Sequence, residues 1–304
     1  MNNAVVNQTE QSKLKSVLWI IVAYLLCIGS ALAYLYLDFF SALRAESLLL
    51  NTFIADTIAT IVIFVFSRFF KNSSFYDAYW SVIPPLIFHY WVIEFNLSLF
   101  SVEVLLTGLV IWAWAIRLTY NWTVNWAGLH HEDWRYIMLK EKMPKIEMFT
   151  DFFGIHFFPT CQVFLGLIPV YILFSSDTLI TPLFYLGVFL GFSAFFIQMI
   201  ADKQLHDFIN QNSSKKIIQQ GLWAYSRHPN YFAEVLFWFA LAIIGCSAAL
   251  TNEFNFVGFL AMYLMFRFVS IPMMEKRSLS RRPEYQQVLD SISMLLPLPR
   301  KNKN

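Results

Sequence analysis

Long apolar runs alternate with short polar ones along almost the whole chain. The apolar runs fall at about 17–37, 48–70, 79–93, 101–120, 152–174, 179–200, 230–250 and 254–274. Most hold the ~20 residues that a helix needs to cross the hydrocarbon core of a bilayer. The third is short and carries Pro84 and Pro85, which a helix interior tolerates poorly. The pattern predicts an all-α fold, a polytopic transmembrane helix bundle of about 7–8 spans, with the third run crossing or re-entrant. The first run follows the polar stretch "MNNAVVNQTEQSKLKS". It is too long for a signal-peptide core and shows no small-residue cleavage site, so we expect a retained helix. The segments divide the chain into a cytoplasmic N-terminal piece (1–16), a first helix and loop (17–54), a large membrane domain (55–298) and a basic tail (299–304).

Composition agrees with a membrane class. Of 304 residues, 58% are hydrophobic and only 14% charged, where soluble domains carry about 25% charged residues. With all eight runs crossing and a cytoplasmic N-terminus, the external loops are about 38–47, 94–100, 175–178 and 251–253. Of the 22 Lys+Arg, those loops hold only Arg44, so positive charge places both termini in the cytoplasm. The expected location is a multi-pass integral membrane protein, in the inner membrane if the source is bacterial. Cys27, Cys161 and Cys246 lie far apart inside apolar runs, which fits packing and not a disulfide or metal framework. Nothing in the charge pattern suggests a nucleic-acid partner.

Polar chemistry concentrates in and beside 121–151, 201–229 and 275–304. The stretch "GLWAYSRHPNYFAE" (221–234) places Tyr225, Arg227, His228, Asn230 and Glu234 where a long apolar run begins. Pro229 suits the first helical position and disfavours helix at His228, so a helix should start there. Its free N–H groups, with Arg227 and His228, favour an anion such as phosphate. Asn230 and Glu234 share a face four residues apart, and a carboxylate inside a span is a functional candidate. Headgroup anchoring and helix pairing are the plainer alternatives. Arg267 stands inside the last run, where snorkelling is the plain account. "EKRSLSRRPEYQQVLDS" then adds Glu275, Arg277, Arg281, Arg282 and Tyr285. In "RLTYNWTVNWAGLHHEDWRY" (117–136), His130, His131, Glu132, Asp133, Arg135 and Tyr136 crowd together. Adjacent helical residues point about 100° apart, so no metal site is expected. Gln198 with Asp202, and Asp56 in the second run, add to a polar cavity inside the bundle.

The first of these stretches, followed by "SIPMMEKRSLSRRPEY", resembles the C-terminal region of the steroid 5-alpha-reductase-like membrane reductases. "DAYW", "RLTYNW", "EDWRY" and "HFFPTCQVFLGLIP" are similar to its bacterial branch, labelled a domain of unknown function, over about 55–298. The Arg-His-Pro-x-Tyr element alone is also similar to isoprenylcysteine carboxyl and phospholipid methyltransferases. The resemblance implies an NADPH-dependent reductase of a lipid carbon–carbon double bond. It implies that Asn230 and Glu234 contact the dinucleotide, with Glu234 near the nicotinamide, and that Arg267 and Asp202 bind the cofactor. Gln198 replaces an Asn of the family, Glu275 stands where the animal enzymes have a cofactor-contacting Tyr, and Ile271 where they have a His. Trp114 replaces a Tyr that polarises the ketone, and Asp56 takes the place of the catalytic Glu.

No GxGxxG follows a strand, so a dinucleotide must bind among the helices. The reading is a membrane-embedded NADPH-dependent reductase of a sterol-, enone- or isoprenoid-like substrate entering from the bilayer. Asp56 or Tyr136, or a water held by Glu132 or Asp133, would supply the acid. Gln198, Asp202, Tyr225, Arg227, His228, Asn230, Glu234, Arg267, Glu275, Arg281 and Tyr285 would hold the cofactor. The alternative is an S-adenosylmethionine-dependent methyltransferase of a prenyl-cysteine or lipid, against which "MEKR" offers one glutamate where such enzymes show a pair. A transporter or scaffold is the third possibility. Its polar groups would line a path to both faces.

Overall fold

The chain folds into helices, and each of its apolar runs lies largely within one of them. The computed structural model describes residues 3–176, 181–211 and 216–300, so the start of the sixth run and the tail beyond 300 lie outside the described residues. The helices are α1 (Asn3–Tyr36), α2 (Leu48–Phe70), α3 (Tyr79–Glu94), α4 (Val102–Asn125) and the short α5 (Trp134–Lys142). They continue as α6 (Pro144–Phe174), α7 (Pro182–Gln211), α8 (Pro229–Cys246) and α9 (Glu253–Arg281), with α10 (Gln286–Ser291) last. No strand occurs among the described residues. The polar N-terminal piece read as a separate segment is the first part of α1 from Asn3 onward.

Seven described helices are long and apolar enough to span a membrane: α1 from Lys13, α2, α4 and α6 to α9. At 16 residues, with Pro84 and Pro85 inside it, α3 falls short. Outward-facing Leu25, Phe69, Ile116, Phe189 and Phe268 would be a liability in water and suit lipid tails. The chain is a multi-pass integral membrane protein with an all-helical fold.

Local chemistry sets the ends. Ser47 caps α2 by accepting the Leu50 N–H, and Lys71 closes it in the left-handed region. His228 is the N-cap of α8 and Pro229 its first residue, as the sequence predicts. Two helices contain a π-helical turn, Thr150–Phe157 in α6 and Phe266–Ser270 in α9.

The chain forms two compact units. The first comprises 1–90 and 118–164, the second 91–117 and 165–304. The core of the first is built on Ala23, Cys27, Ala55, Ala59, Ile63, Phe75, Tyr76 and Tyr79. That of the second is built on Trp114, Phe184, Ala233, Phe237, Trp238, Ala240 and Leu241. In the second unit small residues permit close helix contact. A Cβ on Gly187 of α7 would lie 2.9 Å from the Ile244 backbone nitrogen, and one on Gly258 of α9 would lie 2.3 Å from the Gly166 Cα.

Candidate functional site

In the second unit the polar interior gathers around Glu234 on α8. Both carboxylate oxygens lie 3.2 Å from the Trp114 indole N–H, and Trp238 donates to Oε1 at 3.0 Å. Gln198 Nε2 donates to Oε2. Trp114 stacks on Phe237 at 4.4 Å between centroids and meets Trp238 edge-on, so the carboxylate is boxed by aromatic faces. Indoles donate and never accept. Glu234 is therefore an acceptor throughout, and it turns the Gln198 amide so that Nε2 faces it. Gln198 Oε1 is left buried with no hydrogen-bond partner among the described residues, as is Arg117 Nε. Arg117 makes a 2.6 Å ion pair with Asp202, one turn beyond Gln198 on α7.

Arg227 and His228 do something other than the sequence suggests. Arg227 Nε donates to Glu275 at 2.7 Å, and its NH1 donates to the Leu289 and Ile292 carbonyls at 2.9 and 2.6 Å. His228 Nε2 lies 3.1 Å from the same Glu275 oxygen. The adjoining backbone zips to the chain beyond α10: Arg227 N–H to Ser293 O at 2.9 Å, Ser226 Oγ to Leu295 O at 2.7 Å, and Leu298 N–H to Tyr225 O at 3.1 Å. Arg227 and His228, expected at an anion, and Glu275, expected at the cofactor, instead satisfy one another. Tyr285 packs with Val288 and Ile292, and burial pushes its hydroxyl up to about 12. Tyr225 and Arg281 are exposed. Asn230 accepts its neighbour's N–H, Tyr231, at 3.0 Å, and the Arg267 guanidinium lies 5.3 Å from the Phe268 ring centre.

In the first unit Asp56 is buried and accepts the Tyr79 hydroxyl at 2.7 Å. Thr60 Oγ1 continues the network to Tyr79 OH at 3.2 Å and to Thr160 Oγ1 at 2.9 Å, and Thr160 reaches Tyr76 OH at 2.8 Å. The other acid candidates have structural partners. Glu132 accepts from Ser73 N–H at 2.7 Å and Lys140 Nζ at 2.6 Å. Asp133 caps α5 and grips Arg135 with both oxygens. Tyr136 donates to Asp77 at 2.7 Å, and burial raises its hydroxyl well above the ordinary value.

The sequence profile of a family described as "Protein of unknown function (DUF1295)" matches residues 63–292. The chain belongs to the DUF1295 family. This is a family of membrane proteins related to the steroid 5-alpha-reductase-like group. A relative in Schizosaccharomyces pombe (strain 972 / ATCC 24843), the uncharacterized protein C594.04c, is 26% identical over 255 residues, spanning 75% of this chain and 73% of its own. No solved structure matches.

In this DUF1295 chain, Gln198, Asp202 and Glu234 are brought together. Four further residues of the two polar interiors, Arg117, Trp238, Tyr79 and Thr160, escape the sequence reading as site residues. Their signal was present: Tyr79 lies in "DAYW" and Arg117 opens "RLTYNW" at the end of an apolar run. A lone tyrosine or threonine in an apolar run, however, reads as packing.

Proposed function

We propose that the chain is a membrane-embedded reductase that uses NADPH to saturate a carbon–carbon double bond in a sterol-, enone- or isoprenoid-like substrate. The observation carrying this reading is the pair of unpartnered buried atoms beside Glu234. Gln198 Oε1 accepts and Arg117 Nε donates, and unmet buried polar groups are costly. A primary carboxamide offers an N–H donor and a carbonyl acceptor from one flat group, and nicotinamide carries one. The residues present therefore fit the cofactor. Gln198 and Arg117 would hold the carboxamide, Glu234 fixes which way Gln198 presents its amide, and Asp202 holds Arg117 in place. The aromatic box keeps water out. With Arg227 and His228 engaged by Glu275, the phosphates are assigned to Arg267 and Arg281. When bound, NADPH supplies a hydride. The proton is assigned to Asp56, held by Tyr79. By charge distribution the cofactor side is the cytoplasmic face, and the substrate comes from the bilayer.

S-adenosylmethionine also carries N–H donors and a carboxylate, so the two ligands are compared directly. Purified protein in detergent is heated with each. NADPH at 100 times its dissociation constant should add about 2.7 kcal/mol, and S-adenosylmethionine nothing. Glu234→Gln sets an amide N–H2 against indole donors and should weaken NADPH binding about tenfold, roughly 1.4 kcal/mol. Stabilisation by S-adenosylmethionine alone overturns the reading.

A further inference from the structure

Reducing an alkene by hydride consumes one proton per turnover, so an acid that gives it up is left as a carboxylate and must be recharged from water. Asp56 is 4% exposed, and the groups facing it are Tyr79, Tyr76, Cys27 of α1 and Cys161 of α6. None of these lies in water. Hydroxyl groups nevertheless continue from it without a break: Tyr79 at 2.7 Å, Thr60 at 3.2 Å, Thr160 at 2.9 Å and Tyr76 at 2.8 Å. All four are at most 2% exposed.

Beyond Tyr76 the polarity persists. The His156 ring meets the Tyr76 ring edge-on at 5.3 Å between centroids. Its Nε2 lies 2.9 Å from Ser67 Oγ, and its Nδ1 lies 2.9 Å from the Asp151 carbonyl. Asp151 accepts from Ser73 at 2.7 Å and from Arg68 at 3.0 Å, and Arg68 pairs with Glu147 at 2.6 Å. At that last pair the cluster opens outward, with side chains 39% and 33% exposed. The π turn lets one helix do this. Its i→i+5 bonding stacks Asp151 and His156, five residues apart, and Thr160 follows four residues on.

We propose that Thr60, Thr160 and Tyr76, with Tyr79, form a proton-conducting chain that recharges Asp56 from the polar cluster at His156, Asp151 and Arg68. It rests on the reductase reading only for its purpose. At rest each threonine hydroxyl has a main-chain acceptor four residues back, Asp56 O or His156 O at 2.9 Å. Turning the hydroxyl hydrogen to the next oxygen links the chain. Each hydroxyl then passes its own proton towards Asp56 and takes one from the group behind; Tyr76, which meets His156 only ring to ring, takes its proton from a water that exchanges with solvent through that cluster. One O–H bond breaks and one forms at every oxygen, and no electrons are transferred. Satisfying buried hydroxyls is the simpler role for the same contacts, and it sets no rate.

The test follows protonation of Asp56 itself. After a pH jump in either direction, the infrared carboxyl band that Asp56→Asn removes is timed in purified protein without substrate or NADPH. Thr160→Val should slow its change about a hundredfold, the lower range for a positioned proton-transfer group, and leave its midpoint unmoved. Thr160→Ser should restore the rate. Tyr76→Phe is the second break, should Thr160→Val fail to fold. Unchanged rates in both broken chains overturn the proposal. Slowed rates in a protein that ignores NADPH would keep the proton path and discard the reductase reading.

Discussion

Asp77 follows the turn after α2 and receives the Tyr136 hydroxyl at 2.7 Å. Burial raises its carboxyl to about 6, partly offset by that hydrogen bond. The folded state therefore holds this proton more tightly than the unfolded state, whose value is near 3.8. Stability contributed by Asp77 is full below the unfolded value and falls as pH rises from about 4 to about 6. Asn keeps the acceptor and loses the charge. Asp77→Asn should stabilise the protein by about 1–2 kcal/mol at pH 7 and not at all near pH 4. Thermal unfolding at the two pH values checks this, and equal effects at both would refute it. At the same scale, Glu234 was legible because an isolated carboxylate in an apolar run demands a reason. Its partner Trp238 was not, since a tryptophan in a membrane helix needs no polar role, and Trp114 stood out only through the resemblance, at the substrate and not at Glu234.

The elements repeat this contrast. Pro229 fixed the start of α8, and Pro84–Pro85 marked α3 as the weakest span. The π turns left no sequence mark, because one residue of extra winding depends on what the helix meets. Glu275 belongs to α9, and its partners to the turn before α8. Glu275→Gln leaves Arg227 buried beside a neutral amide, which should lower stability by about 3 kcal/mol and expose residues 289–298 to protease. Thermal unfolding and limited proteolysis read both effects. A variant as stable as the parent that binds NADPH more tightly would return Arg227 to the cofactor.

At the scale of the molecule, crossing number follows from contacts between helix ends. Lys13 Nζ reaches the Thr123 carbonyl at 3.3 Å, Ser16 Oγ receives the Leu129 N–H at 3.1 Å, and Asn72 Nδ2 donates to the Leu129 carbonyl at 2.8 Å. The start of α1, the end of α2 and the end of α4 thus share one side. If α4 spans, the chain between Asn72 and Val102 changes sides, so the 16 residues of α3, about 24 Å long, are expected to make an eighth crossing. The expected result is that Lys71→Cys and Ser98→Cys, on either side of α3, in a chain whose three cysteines are serine, react with an impermeant maleimide from opposite faces. Labelling from one face would leave seven crossings. The sequence left the third run open as crossing or re-entrant. The sequence could not show which ends touch.

The hydrogen bonds that join Tyr225, Ser226 and Arg227 to residues 289–298 also set an order of events during synthesis. Glu275 and the carbonyls at Leu289 and Ile292 leave the ribosome well after α8 has begun to insert. Until they arrive, Arg227 has none of these partners and sits at the mouth of a half-made membrane protein. A nascent chain stopped before residue 275 would expose that unpaired cation, a mark for recognition by a membrane protease.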